Sequence, residues 1–515
     1  MIRYKLAIFF TSLALVTHAE DFTMNYSASI DANGGPGEFA PYYIAALRNG
    51  KFSSARGATL SVSAIKPLDK SKRFSYSFGV EASAQIANNV EYQRFDAKNS
   101  SWFTHSENTP RIWLDQLWGE VKFRGVFLWL GMRDFTPALV NRRLSSGDLV
   151  ESGNARNIPG FRAGFIDFQN IPFTNGWVQI QGEIGYGKAM DNDWQKNHYN
   201  YYNEHLNLGW WYNYKRCFFR TKPSQPFSIT VGMQAAAQFA GESWWYRDGA
   251  AYRHETKQLQ IRDFVDMLVI RQGDAYWKGN HVGSWDFQAR YRLKNDSEIK
   301  AYFQWPWEDG SGIGKLNGMD GLWGIEWVSS KSGVVRGAVV EFMSYMNQSG
   351  PIHYEQNDHI GTDMTGHGAD GRDNYYNNYW YNGYAHYGMC IGSPMFISPI
   401  YNTNGATTTF LNNRFWGIHA AVEGSILPEL SYRVMASYRR YYGTLQIPSI
   451  TPSNCISTFL EASWRVAKLP GLQINTQIAL DCGNPGFGRN FGAMLSIKYS
   501  GIFNIKTLKS SPCVL

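Results

Sequence analysis

Ser284-Trp285-Asp286-Phe287-Gln288-Ala289-Arg290-Tyr291-Arg292-Leu293 is the stretch on which the fold turns. Trp285, Phe287, Ala289, Tyr291 and Leu293 share one face, while Asp286, Gln288, Arg290 and Arg292 share the other. A period of two is the signature of a strand, and a wholly apolar face opposed to a charged one gives that strand two different solvents. Its length matches the roughly 9–11 residues with which a tilted strand crosses a bilayer. Leu430 to Arg439, Trp177 to Tyr186 and Phe74 to Ala84 repeat the pattern. Nearly every strand alternates this way, which predicts an all-β transmembrane antiparallel β-barrel, greasy outside and wet within.

The joints carry the second argument. Strands are predicted to begin near residues 22, 58, 73, 112, 126, 161, 176, 206, 226, 284, 298, 322, 333, 414, 429, 455, 471 and 489. That is about 18 strands, an even number as in bacterial outer-membrane barrels. Joints after even-numbered strands are mostly brief, as at Arg124-Gly125 and Ile426 to Pro428. Several joints after odd-numbered strands are long: Ala32 to Gly57, Phe135 to Gly160, Gly241 to Gly283 and Met346 to Asn413. Short periplasmic turns and long extracellular loops alternate in this way around a barrel.

Composition agrees. Trp, Tyr and Phe make up 16% of the 515 residues, yet no uncharged apolar run is long enough for a transmembrane helix. Met1 to Ala19 reads as a secretory signal: Arg3 and Lys5, an apolar core from Leu6 to Val16, then Thr17-His18-Ala19. Residues 20–503 are then the barrel and residues 504–515 a tail beyond Phe503, with the mature protein expected in the outer membrane. Removing Arg3 and Lys5 lowers the net charge from +7 to about +5. That charge is spread over strands and loops, which argues against a nucleic-acid partner. Of the five cysteines, Cys455 and Cys482 flank one hairpin. Parity puts Cys455 on the polar face and Cys482 on the apolar one, so no bridge is expected between them.

The inward rows carry Arg290, Arg292, Arg433, Arg439 and Arg465 with Glu81, Glu120, Glu183, Glu326, Glu341, Glu423 and Glu461. Such rows either draw acidic solutes inward or form ion pairs that rigidify the wall, and ion pairing is the expected role. The loop from Met346 to Asn413 contains Arg372-Asp373-Asn374-Tyr375-Tyr376 and Trp380. Aromatic rings offer faces to sugar C–H groups, and Arg, Asp and Asn offer partners to hydroxyls and carboxylates. The same residues equally suit a plug of buried rings with polar tips. Trp244 and Trp245, in the loop Gly241 to Gly283, form a second aromatic candidate. In Leu259 to Ile270, Ile261, Phe264, Val265, Leu268 and Val269 recur at helical spacing, which predicts a helix packed over the barrel mouth. Asp191-Asn192-Asp193-Trp194 lacks the spaced ligands of a calcium loop and reads as a turn.

Catalytic signals are poor. His353, His359, His367 and His386 share one loop without a compact metal-ligand spacing. Gly310 to Lys315 is only a faint phosphate-loop match and sits in a barrel loop. His419, with Glu423 further along the same face, is the one place to look for an enzyme. No catalytic residue, metal or cofactor is expected.

Six segments in order resemble the Wzi family of capsule assembly proteins, in the form found in Bacteroidetes-type bacteria. They are Leu144 to Gly147 with Ser152 to Pro159, Asp191 to Lys196, Gly279 to Trp285, Ser349-Gly350-Pro351, Gly371 to Asn378, and Ile397 to Asn402. The likeness runs from about Asp21 to Phe503. It implies an outer-membrane barrel that binds capsular or other surface polysaccharide without catalysis, its wall in outer-membrane lipid. The expected site, from loop chemistry alone, is Arg372, Asp373, Asn374, Tyr375, Tyr376 and Trp380, with Trp244 and Trp245. The alternative is a porin for sugars or anions, which needs an open lumen.

Overall fold

The computed structural model describes residues 22–96, 99–106, 111–200, 204–270, 279–313, 318–348 and 373–505. Eighteen strands form one antiparallel wall. The first six are β1 (Phe22–Gly34), β2 (Gly57–Lys66), β3 (Phe74–Ala87), β4 (Ile112–Phe123), β5 (Val126–Met132) and β6 (Gly160–Phe165, continued by Gln169–Asn170). Next come β7 (Val178–Lys188), β8 (Trp211–Thr221), β9 (Phe227–Phe239), β10 (Asn280–Arg292), β11 (Glu298–Glu308) and β12 (Gly321–Val328). Last are β13 (Gly337–Ser344), β14 (Phe415–Leu427), β15 (Leu430–Gly443), β16 (Pro448–Arg465), β17 (Leu472–Asn484) and β18 (Gly488–Ile505). Each pairs with its neighbour in sequence, and β1 pairs with β18 from Phe22 opposite Ile505 to Gly34 opposite Ala493. Closure leaves no wall edge with unpaired backbone, the condition for strands to stand in hydrocarbon. Among the described residues no helix is long and apolar enough to cross a membrane.

The predicted starts lie within a few residues of the observed ones, and the largest displacement is β16, which begins at Pro448. It extends upward past Cys455 because Ser453 and Asn454 still pair with Tyr441 and Arg440. The alternation holds. Phe287 and Tyr291 on β10 are exposed outside, while Asp286 is fully buried inside. Leu128, Leu130, Ile325, Val340, Leu460 and Ile478 continue the outer apolar surface. Cys482 stands opposite Ile456, and the inward Cys455 stands opposite Arg439. Cys217, Cys390, Cys455 and Cys482 are all free thiols.

The core of this protein lies inside the barrel and is built by loops. Residues 35–56, 133–159 and 373–413 contribute to one buried cluster, with Tyr43, Leu144, Val150, Tyr376, Tyr384 and Phe396 among its members. Loop 133–159 descends furthest. Ser145 Oγ and Ser146 N donate to Glu341 at 2.6 and 2.8 Å, and the amides of Gln234 and Gln304 donate to Asp148. Burial pushes the Asp148 carboxyl above its ordinary range, against those amides, which bind the charged form. His419 joins two loops: its Nε2 lies 2.7 Å from Leu144 O and its Nδ1 2.9 Å from Tyr43 OH. Because a carbonyl only accepts, Nε2 must carry the proton and Nδ1 must accept from Tyr43. Both ring nitrogens are thereby engaged in holding loops.

The inward charges behave mainly as braces. Arg290 and Arg292 both pair with Glu298, at 2.9 and 3.4 Å, and Arg433 pairs with Glu461 at 3.0 Å. Arg439 departs from the expected ion pairing. It is buried over the Tyr42 ring at 4.1 Å and donates to Ser457 and Cys455, so its charge is met by a π face and dipoles. The predicted helix is found at Ile261–Asp266, but in a different place. Phe264 packs on Tyr186, Trp211 and Phe239 of β7, β8 and β9, on the outside of the wall and not over the mouth. Helical spacing says which side of a helix is apolar, not which surface it meets.

Candidate functional site

Loop length orients the barrel. Turns 124–125 and 428–429 mark the periplasmic end, and loops 240–279 and 345–414 mark the extracellular end. The periplasmic mouth opens into a polar cavity of about 410 Å³, lined by Arg143, Arg336, Glu423, Glu461, Arg465 and Gln473. Arg143 bridges Glu423 at 2.7 Å and Glu461 at 3.3 Å, and Arg336 lies 3.5 Å from Glu423. Glu423 is thus occupied by two guanidiniums, and His419 by two loops, so this pair carries no catalytic arrangement. An apolar groove lined by Phe287, Phe303, Trp323 and Phe342 lies on the outer wall and faces away from the lumen.

The extracellular end is built differently. Asn378 caps the single turn Tyr379–Tyr381 by accepting from Trp380 N at 3.0 Å. Asn382 ends that turn in the left-handed region, at φ 56°, a conformation asparagine tolerates better than most residues. Its side chain donates to His205 O at 2.6 Å and accepts from Asn207 N at 2.7 Å. The turn is therefore clamped to strand His205–Leu208 of the loop after β7. That strand pairs with hairpin Glu242–Arg247/Ala250–Thr256 of the loop after β9, setting His205 opposite Trp245 and Leu206 opposite Trp244. Three loops meet at one imidazole. The His205 ring centroid lies 4.8 Å from Trp245, 5.3 Å from Tyr379 and 5.8 Å from Trp380. Burial pushes the His205 pKa down to about 4, so the ring is neutral near pH 7.

Above this joint the surface is aromatic and mixed in charge. Tyr379 is 52% exposed and Trp380 37%, at 5.6 Å and 69° to one another. Tyr252 is also exposed, beneath the Arg247 guanidinium at 4.7 Å, and Arg253 lies 4.4 Å from the Trp245 ring. Trp244, on the other face of the hairpin, is half-buried and stacked on His254 at 3.8 Å. Exposed rings set at an angle, flanked by guanidiniums and by the carboxylates Glu204 and Glu255, can take the C–H face of a pyranose and its hydroxyls together.

The expected residues separate into three groups. Trp380 and Trp245, from two distant loops, come together at His205, with Trp245 as the buried floor of this surface. Trp244 does not join them, which corrects the expectation for it: it stands opposite Leu206 on the other face of the strand and packs toward the core. Tyr375 and Tyr376 do not belong to it, which corrects the expectation for both. They are 2% and 4% exposed, Tyr376 N donates to Glu308, and Tyr376 OH donates to Leu149 O of the descending loop. They plug the mouth. Asp373 and Asn374 are half-buried beside them, with Asn374 accepting from Asn413 at 2.6 Å, and Arg372 lies outside the described residues. Sequence reasoning missed His205 and Tyr379. The asparagines on either side of Tyr379-Trp380-Tyr381 were the available signal, since they cap a turn that turns two rings outward. Asp191 Oδ2 accepts from Gln195 N at 2.9 Å at the start of helix Trp194–His198, as befits the turn expected there.

A closed, even-stranded barrel with an apolar outer belt and short turns at one end defines the class of outer-membrane β-barrels. Among solved structures, the fold is similar to that of Wzi, described as an outer-membrane protein involved in group 1 capsule assembly in Escherichia coli and a carbohydrate-binding β-barrel. The likeness covers 95% of this chain and 86% of that one, at 14% identity and a TM-score of 0.52. OccAB4 of Acinetobacter baumannii (8% identity, 95% and 99% covered, TM-score 0.46) and OccK5 (OpdH) of Pseudomonas aeruginosa (6% identity, 94% and 98% covered, TM-score 0.45) are more distant barrels. The likeness to Wzi shows the fold alone. No protein-family model matches the sequence, and no curated protein matches it.

Proposed function

We propose that this protein sits in the outer membrane and binds a surface polysaccharide, capsular in kind, on its extracellular face, without catalysis. The observation that carries this reading is the union of three loops into one outward aromatic surface above a lumen packed with the protein's own chain. Tyr379 and Trp380 supply the stacking rings. Tyr252 and Arg253 widen the surface, and Arg372 is assigned to pair with an acidic sugar. The resemblance of six segments to the Wzi capsule proteins, and the fold likeness to a carbohydrate-binding barrel, support the same reading. A polymer presents many copies of its repeat, so weak single-sugar contacts add to useful avidity when neighbouring barrels engage one strand.

The test compares wild type with a Tyr379→Ala/Trp380→Ala variant in binding to purified capsular polysaccharide from the producing cell. Each ring contributes about 0.5–1.5 kcal/mol, so the double variant loses roughly 5- to 150-fold in affinity. Its melting temperature should stay close to wild type, because Asn378 and Asn382 hold the turn and the rings are only partly buried, at 52% and 37% exposed. Unchanged affinity in the double variant would remove this surface from the account.

A further inference from the structure

One stretch of the outer wall is wrong for lipid. The outward row of β8 reads Trp211, Asn213, Lys215, Cys217, Phe219, as fixed by Ile180 opposite Phe219 and Ile184 opposite Lys215. Phe219 is exposed and belongs to the apolar belt, but two positions above it are an ammonium and an amide. Across β9 and β10 the same outward level holds Ala237 and His281. A lysine, an asparagine and a histidine have no partners in acyl chains, and an unmatched polar group there costs several kcal/mol.

The wall is covered at this point. Residues 259–267 lie across it, with Leu259, Phe264 and Met267 forming a small cluster against Ala237, Phe239, Tyr186 and Trp211, separate from the core inside the barrel. Lys215 Nζ donates to Met267 O at 2.6 Å and to Asn213 Oδ1 at 2.9 Å, and Tyr186 OH donates to Phe264 O at 2.5 Å. The segment thus meets Lys215 and Tyr186 with backbone carbonyls in and just after its single helical turn. Asn213 is held by Lys215 and Gly185 O, and His281 Nδ1 has no hydrogen-bond partner among the described residues. What the segment turns outward in exchange is apolar: Ile261 is 85% exposed, with Val265, Leu268 and Val269 also open. Arg262 alternates with them, near Asp266 at 3.7 Å. The level is the upper half of the belt, since Lys215 stands six residues and Asn213 eight residues above the periplasmic end of β8 at Thr221. Six residues are about 20 Å of strand, or about 15 Å of height at a tilt of about 35–45°, against an apolar band of about 25 Å.

We infer that residues 259–270 form an interfacial anchor, seated in the outer-leaflet boundary with Ile261, Val265, Leu268 and Val269 in acyl chains. The occupant is lipid because the exposed side chains continue the barrel's own apolar belt. An amphipathic segment with an apolar face and an arginine at its rim is the kind that lies in the plane of an interface. The anchor joins the membrane to the hairpin bearing Trp244, Trp245 and Tyr252, and so fixes the height of the aromatic surface above the bilayer. This inference rests on the outer-membrane reading given above.

Nitroxide labels at Ile261→Cys, Val265→Cys and mid-belt Ile325→Cys, in the full chain with its five native cysteines changed to alanine, test both readings separately. The protein is reconstituted in phospholipid vesicles and read by collision with oxygen and with a water-soluble nickel chelate. The anchor predicts that Ile261→Cys and Val265→Cys, like Ile325→Cys, favour oxygen by severalfold. A lipid signal at Ile325→Cys with an aqueous signal at Val265→Cys overturns the anchor alone. An aqueous signal at all three sites overturns the membrane reading beneath it. Dipolar broadening between Val265→Cys labels would place a second copy of the chain on this face and would also overturn the lipid assignment.

Discussion

Tyr375-Tyr376 and Tyr379-Trp380 stand three residues apart in one loop and share one composition, yet they do opposite things. The first pair is buried in the mouth, tied by hydrogen bonds to Glu308 and to the loop that descends from β5. The second pair is held at the surface by a capped turn and a clamp of asparagines around His205. The difference teaches that aromatic richness does not distinguish a plug from a platform. What distinguishes them is where the polar tips and neighbouring amides find partners. A phenol whose OH donates to a carbonyl deep in the lumen is structural, whereas a ring whose backbone alone is pinned is left to meet a ligand.

Tyr376→Ala breaks the first pair. It deletes a buried ring packed at 4.3 Å on Phe396 and leaves Leu149 O unpaired. The expected loss is about 3–5 kcal/mol, as for large aromatic deletions in a core, read as a lowered melting temperature and as protease cleavage within residues 373–413. Tyr376→Phe keeps the ring and should cost only about 1 kcal/mol. Equal loss in the two would show that the hydrogen bond, not the packing, holds the plug. Against this, the Tyr379→Ala/Trp380→Ala variant should lose ligand and keep stability. If both pairs behaved alike, the contrast would fail.

Acid sharpens the comparison next. His205 beneath the platform and His386 beside the plug are both pushed down to about 4 by burial. In the unfolded chain the same rings titrate near 6.5, so between about pH 6.5 and 4 the unfolded state binds more protons than the folded one. The stability conferred by neutral rings is therefore complete above pH 6.5 and declines as pH falls toward 4. Amide hydrogen exchange in residues 204–208 and 373–390, corrected for intrinsic rates, should be faster at pH 5 than at pH 7. The strand amides of β15–β17 should change less, and a uniform response would contradict local control by these rings.

The smallest effect belongs to the periplasmic mouth. Arg143 bridges Glu423 and Glu461, but its side chain is 55% exposed, so water screens both pairs. Arg143→Ala should cost about 1 kcal/mol or less, measured as a shift in urea midpoint, and should leave polysaccharide binding unchanged.

The wall was legible because one physical constraint repeats along it. Lipid and lumen must alternate, so parity alone placed Arg290, Arg433 and Glu461 inward and separated Cys455 from Cys482. The site was only half legible. Trp245 and Trp380 were recognisable as sugar-facing residue types, but their meeting at His205 spans three loops and depends on pairing no local pattern encodes. Tyr375 and Tyr376 were indistinguishable from Trp380 because buried and exposed rings call for the same residues. The outer helix was visible and its position was not. The missing clue lay elsewhere in the chain: Lys215 and Asn213 occupy lipid-facing places in β8, and such places must be covered.

The central claim is that this barrel holds a polymer outside and does not pass solutes through. Single-channel recording in planar bilayers tests it most directly. Loops 35–56, 133–159 and 373–413 packed inside the wall predict no sustained open level in the wild-type protein, with openings appearing only in Tyr376→Ala. A steady, unit-sized conductance in wild type, blocked by sugars or selective for anions, would make the protein a conduit and contradict the account.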